Sequence, residues 1–351
     1  MGLSHHAIIN THPKLNLVAV CDVSDYILGT INKYTGMKVY SDYSQMLQQE
    51  QLDAVFIASP SRLHGAMIRA ALDRGLHVFC EKPLCIDPDE SASLAAIAES
   101  KGLITQVGYH YRFVATFAEL KRLVAMGAIG AVHNARAEAY GPVVVRTKVS
   151  TWRSSKSEGG GCLFDYACHA IDLMNYVFGP PESVCGTVLN SIFSRDVDDE
   201  AYSTLRYADG MSAHIAANWS DESIRKMSLK VSLWGTKGRI VADRQELSIY
   251  LREPIEGENL REGWNTRYTT DLTKEVWFYL RGEEYSAQID HFANCVESRT
   301  PTLCTFRSAS QADAVAAMMV RDAAGTAAIP AASKASESKP GLWRFLQRRE
   351  S

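Results

Sequence analysis

The chain has 351 residues, long enough for two domains, with 46% apolar and 22% charged residues, the ordinary globular range. Its formal net charge of −3 argues against broad electrostatic binding to nucleic acid or an anionic membrane. No apolar run reaches the roughly 18 residues of a membrane span, and no basic-then-apolar leader opens the chain.

The first 110 residues alternate between two patterns. "LNLVAVCD" (15–22) is an apolar run ending in Asp22, as a strand buried on both faces reads. "SDYILGTINKYTG" (24–36) has helical spacing and a closing Gly36. A short strand "KVYSD", a short helix "YSQMLQQEQ" and the strand "LDAVFIASP" (52–60) follow. "RLHGAMIRAALDRG" is a helix, and "LHVFCEKP" (76–83) a strand running into a charged corner. In "DPDESASLAAIAESKG", Asp87 caps a helix that has Pro88 in its first turn. "LITQVGYHYRF" (103–113) completes the series. Strand–helix repetition of this kind predicts a parallel sheet with helices on both faces, and binding groups at the strands' carboxyl ends.

The pattern then changes. After a helix near 115–126, "AVHNARAEAYG" and five later segments alternate like half-exposed strands, and "RYADGMSAHI" carries an Asp-Gly hairpin signal. One open, mostly antiparallel sheet is expected. Helices at 160–178, 284–297 and 307–323 are expected to cover part of it. The class is thus α/β, a Rossmann-type parallel sheet, followed by α+β. The expected division is 1–113, 114–325 and a polar tail, 326–351. An uncovered sheet face predicts a homo-dimer or homo-tetramer. Eight scattered cysteines without a C-x-x-C pair read as reduced thiols of a cytoplasmic protein.

Three stretches carry chemistry. Asp22, at a strand tip, suits a ribose diol and repels a 2′-phosphate, which favours NAD over NADP. In "CEKPL", Lys82 projects from a strand end where an ammonium polarises a substrate oxygen; a surface turn is the plainer reading. In "SEGGGCLFDYACHAIDLMNYVFG", three glycines permit a backbone to approach a ligand closely. On the helix that follows, Asp165, His169 and Asp172 fall at i, i+4 and i+7. That is either an imidazole base tuned by a carboxylate or a capped helix with a core histidine. The spacing is not that of H-E-x-x-H, so no metal is expected, and no G-x-S-x-G elbow supports a serine hydrolase.

"VAVCD", "IASPSRLHG", "EKPL", "GYHYRF", "GAIG" and the glycine-led helix, in this order, resemble the Gfo/Idh/MocA family of nicotinamide-dependent sugar oxidoreductases over roughly residues 1 to 325. The resemblance implies Lys82, Asp165 and His169 as catalytic groups, with His169 the general base. It implies cofactor contacts from Gly2, Asp22, Ser59, Pro60, His64, Glu81, Lys82, Tyr109, Trp152 and Arg153. Substrate contacts would come from Lys82, His110, Arg112, Asp165 and His169. It also implies a small sugar-type substrate and an NAD cofactor. Arg136, Arg146, Lys148 and Arg153 could serve an anionic substrate or simply be exposed strand charges. The family opens with an apolar strand and G-x-G-x-x-G, and here Met1-Gly2 stands at the end of that motif. The expectation is a chain starting past the first strand, whose neighbours lose a ladder partner. A non-catalytic scaffold of the same fold is the alternative.

Overall fold

The computed structural model describes residues 1–146 and 152–326. Lys148 and the tail from 327 onward lie outside them, as does the side chain of Arg146. The first part runs α1 (Gly2–Asn10), β1 (Ala19–Cys21), α2 (Asp25–Thr35), β2 (Lys38–Tyr40), α3 (Tyr43–Gln49), β3 (Ala54–Ile57), α4 (His64–Asp73), β4 (His77–Cys80), α5 (Pro88–Ser100) and β5 (Thr105–Val107). Local chemistry sets these boundaries. The Ser24 hydroxyl accepts from the Ile27 amide at the start of α2, and Gly36 ends that helix at φ 67°. Asp87 caps α5 by accepting from the Asp89 amide.

The five strands are parallel, but they form two sheets, β1–β2 and β3–β4–β5, with no ladder between β1 and β3. Burial follows the same division. Every residue of β4 and β5 is buried, whereas β1 and most of β3 are only half-buried.

The second part runs α6 (Ala115–Ala125), β6 (Val132–Tyr140), α7 (Val143–Arg146), a π-helical turn at Leu163–Ala167, α8 (Cys168–Phe178) and β7 (Ser183–Asn190). β8 (Glu200–Arg206), β9 (Ser212–Asn218), β10 (Ser228–Gly235), β11 (Gly238–Ala242), β12 (Glu246–Leu251), β13 (Gly263–Tyr268), α9 (Thr269–Leu272), α10 (Glu283–Ser298) and α11 (Phe306–Thr326) complete it. The strands make one eight-stranded sheet in the order β13-β12-β11-β10-β6-β9-β8-β7, antiparallel except for β6 against β9. The Asp-Gly signal falls in the β8–β9 hairpin, with Gly210 at φ 88°.

One helix departs from expectation. α10 covers the parallel strands, not the open sheet. Its Phe292 meets Phe56 and Phe79 edge-on, and the Gln106 side chain donates to the Gln288 carbonyl. The apolar stripe Ile289, Phe292 and Cys295 fixes the choice, because the surface it buries against holds Phe79 and Ile104.

Candidate active site

The site lies where β4 ends. Glu81 and Lys82 follow the strand, and the Lys82–Pro83 peptide is cis. The Lys82 ammonium donates to the Asp165 carboxylate at 2.9 Å and to the Asp165 carbonyl at 2.8 Å. The second carboxylate oxygen accepts from Arg153 Nε at 2.8 Å. Burial works against the charge on Lys82, but the Asp165 carboxylate outweighs it and raises the lysine's pKa. Burial likewise opposes the Asp165 charge, and Lys82 with Arg153 holds it below the usual carboxylate value. One buried carboxylate thus anchors two cations, the first almost enclosed and the second 42% exposed.

The helical spacing anticipated a meeting of Asp165 with His169. The structure does not make it. Residues Leu163–Ala167 form a π turn, with about five residues between bonded groups rather than four, and α8 starts only at Cys168. The extra residue rotates Asp165 off the His169 face and toward Lys82 and Arg153. Asp172 does not meet His169 either. Its carboxylate takes two bonds from Arg112, from Nη2 at 2.6 Å and Nε at 2.9 Å.

His169 sits among the rings of Tyr109, His110 and Tyr111, all edge-on at 5.1–5.8 Å between centroids. The ring is buried, and its Nδ1 has no partner among the described residues. Burial, then the positive charge of Lys82, pushes its pKa well below the usual histidine value. The imidazole is therefore neutral and able to accept a proton at neutral pH. Burial drives His110 the same way, to about 3. Its other face stacks on Tyr285, 4.6 Å away, whose hydroxyl lies 3.4 Å from His110 Nε2.

Three residues expected at the ligand are buried within the protein. Arg112 is 3% exposed, and besides Asp172 it bonds the Leu303 carbonyl at 2.5 Å, so its donors are spent on bracing the turn. Tyr109 is wholly buried with its hydroxyl sealed, whereas the adjoining His110 is half-buried. His64 is 1% exposed, with both ring nitrogens against backbone carbonyls. Glu81 is also engaged by protein: its carboxylate meets His5 Nε2 at 2.5 Å and lies against Gly108. Burial opposes that charge, and the His5 bond holds its pKa near 2.

The three glycines also serve packing. A Cβ on Gly160 would fall 2.2 Å from the Arg153 carbonyl oxygen, and one on Gly161 (φ 111°) 2.4 Å from an Asp198 oxygen. These contacts seat the Trp152–Arg153 turn, where Arg153 packs on the Trp152 ring. The bond between Arg62 and Glu158, at 2.6 and 2.7 Å, joins this segment to the turn after Ser59 and Pro60.

Among the other expected cofactor contacts, the Asp22 carboxylate accepts from the Ser24 amide at 2.8 Å. Asp22 follows β1 half-buried, and the neighbouring Val23 is 91% exposed. Gly2 starts the nine-residue α1 with nothing within 4 Å of an added Cβ and no side-chain cap on the helix. A carboxylate beside exposed apolar surface, with uncapped amides at a helix start, suits the ribose, adenine and phosphates of a dinucleotide.

His5, Tyr285 and Arg244 also pack near the site, and no sequence motif marks them. His5 is one of two adjacent histidines on α1, and Tyr285 belongs to the amphipathic α10. Arg244 bonds the Arg281 carbonyl and pairs with Glu284. Only their place in the fold connects them to the site.

Comparison with known proteins agrees with this architecture. Residues 1–109 match the family model described as "Oxidoreductase family, NAD-binding Rossmann fold", and residues 117–241 the GFO/IDH/MocA C-terminal domain. The uncharacterized oxidoreductase YrbE of Bacillus subtilis is 27% identical, with 90% of this chain and 89% of that one covered. The scyllo-inositol 2-dehydrogenase (NAD(+)) of the same organism is 26% identical over 85% and 84%. A levoglucosan dehydrogenase solved with NADH and levoglucosan superposes with a TM-score of 0.81 at 22% identity, over 92% of this chain and 93% of that one. The chain belongs to the GFO/IDH/MocA family of oxidoreductases, with an NAD-binding Rossmann fold over residues 1–109.

Proposed function

We propose that this NAD(P)-dependent oxidoreductase transfers hydride between NAD and a secondary alcohol carbon of a sugar, an inositol or a sugar nucleotide. The observation that carries the reading is a neutral, enclosed His169 in the field of a Lys82 ammonium anchored on Asp165. Bound NAD supplies the two-electron acceptor. His169 takes the hydroxyl proton as the carbon–oxygen double bond forms, and the Lys82 charge stabilises the alkoxide character developing on that oxygen. Asp165 holds Lys82 in place. His110 and Arg153 border the substrate, and Asp22, Gly2, Ser59, Pro60 and Trp152 border the cofactor. The division of labour follows the expected boundaries, 1–113 for cofactor and 114–325 for substrate, with α10 returning to cover the parallel strands. Relatives named for scyllo-inositol, levoglucosan and D-glucosides support the substrate class.

We also infer a homo-dimer or homo-tetramer through the open sheet. Tyr250 and Trp264 pair in register on its outer face with rings 5.5 Å apart, and Tyr268 lies two positions of the same face further on, all exposed. The eight free cysteines support a reducing, cytoplasmic setting, and no helix among the described residues is long and apolar enough to cross a membrane.

The test is a panel of sugars, inositols and sugar nucleotides read by nicotinamide absorbance. On any substrate found, Lys82→Ala and His169→Ala are each expected to lower turnover by roughly 10²–10⁴ with an unchanged circular dichroism spectrum. Wild-type turnover in both variants would refute the assignment.

A further inference from the structure

His64 opens α4, and its ring bridges two strand ends. Nδ1 lies 2.9 Å from the Pro83 carbonyl oxygen and 3.3 Å from that of Leu84, and Nε2 lies 3.0 Å from the Ser59 carbonyl oxygen. All three partners are backbone carbonyls, which only accept. A neutral imidazole has one N–H and one lone pair. Either tautomer would satisfy one strand end and turn its lone pair on the oxygen at the other. Only the ring with both N–H groups satisfies both, and the ring is too deeply buried for water to substitute.

The surroundings bear on that charge from every side. From α5, the Glu90 carboxylate fills the space where Gly65 would carry a Cβ, with Oε1 2.1 Å from that point. It offsets the positive end of α4, which disfavours a cation there. From the corner, Lys82 is neutralised by Asp165, and burial pushes the Cys85 thiol up to about 12, so it stays uncharged. On the preceding turn Arg62 is paired with Glu158. From α11, the Asp313 carboxyl is taken up by the Ser91 hydroxyl and the Cys85 amide.

We propose that His64 is a positioning residue, an imidazolium clasp that ties the end of β3 at Ser59 to the corner after β4 and so fixes Lys82 against Asp165. On this proposal its ring acts through the backbone carbonyls it holds and not by touching substrate or cofactor. The functional half of this inference rests on the proposed dehydrogenase reading, and the structural half does not.

Two measurements test it. The first needs no substrate. In protein labelled with ¹⁵N at histidine, the His64 ring signals, assigned by their loss in His64→Gln, are expected to show two protonated nitrogens at pH 7. A single-N–H tautomer there would overturn the clasp, whatever the enzyme's substrate. The second compares variants on a substrate from the panel. His64→Leu, which removes both donors, is expected to lower kcat at least ten-fold while the NADH dissociation constant, by fluorescence titration, changes less than three-fold. His64→Gln, which retains a donor toward one carbonyl, is expected to recover part of kcat. A ten-fold weaker NADH affinity with kcat intact would instead make His64 a direct cofactor contact and overturn the proposal.

Discussion

The Arg112–Asp172 pair allows a sharp prediction, because its two members differ in how they tolerate isolation. Both side chains are almost fully enclosed, at 3% and 1% exposure, and two bonds of 2.6 and 2.9 Å join them. Asp172→Ala deletes both bonds. Arg112 then keeps the Leu303 carbonyl, a 3.4 Å contact to the Ser308 hydroxyl and the face of the Tyr176 ring at 5.0 Å, but no anion, and a guanidinium does not shed its proton. Removing one partner of a buried pair in this way costs about 3–5 kcal/mol. Arg112→Met strands Asp172 instead. A carboxyl can become neutral by taking up a proton, so the loss falls to about 1–3 kcal/mol, the scale of an unsatisfied buried group. Replacing both, as Arg112→Met with Asp172→Leu, leaves no stranded charge and is expected to fall within about 1 kcal/mol of wild type. Urea unfolding followed by tryptophan fluorescence measures all four corners of the cycle, with equal m-values as the check that they share one transition. The double variant should nevertheless turn over slowly. Arg112 belongs to the turn that carries His110, and Asp172 lies one helical turn beyond His169, so the pair sets the 5.1 Å spacing of those rings. An Asp172→Ala variant within 1 kcal/mol of wild type would refute the reasoning, since an enclosed guanidinium without its anion has no inexpensive alternative.

Three more outcomes follow from the site. Because burial and Lys82 lower the His169 pKa, the proposed base is already deprotonated at neutral pH, and the acid limb of kcat/KM should lie below 6.5. A limb centred at 6.5 and abolished in His169→Ala would contradict this. The same shifts bear on stability. His169 and His110 (about 3) stay neutral in the fold, while in the unfolded chain they take up protons below about 6.5, so stability should fall as pH drops through that value. Glu81, near 2 in the fold against 4.5 outside it, adds a second loss below about 4.5, and thermal melts from pH 8 to pH 3 would display both. Gly160→Ala drives a methyl onto the Arg153 carbonyl oxygen and should cost about 1–3 kcal/mol, read as a lowered melting temperature, whereas Gly29→Ala meets open space and should not.

Much of the frame was legible because it rests on local chemistry. Asp87 and Pro88 start α5, Gly36 ends α2, and Asp-Gly turns the β8–β9 hairpin, each through bonds spanning a few residues. The contrast between fully apolar "HVFC" and the alternating strands of the open sheet separated the two sheet types, since burial on two faces and on one leave different patterns. Lys82 was legible for a related reason: an apolar strand that ends in Glu-Lys-Pro puts charge where a parallel sheet binds ligands. What stayed hidden were partners distant in sequence. His5 finds Glu81 76 residues on, and Arg112 finds Asp172 60 residues on, and no periodicity encodes either meeting.

The π turn explains why Asp165 and His169, both legible as candidate residues, are not joined as their spacing implies. Spacing of i and i+4 implies contact only if the helix keeps its pitch, and nothing in "LFDYACHAID" announces the widened turn. Had the segment been regular, Asp165 would bond His169 and raise its proton affinity, and Lys82 would lose its anion. With the turn widened, Asp165 serves the two cations and His169 is left among aromatic rings with no carboxylate on Nδ1. The consequence is chemical: the imidazole is poised by desolvation, not by an acidic partner, and the negative charge of the site is spent on holding Lys82. Separating the base from the carboxylate keeps both a neutral proton acceptor and a fixed cation in one small space, which is what deprotonating an alcohol and stabilising its alkoxide require together.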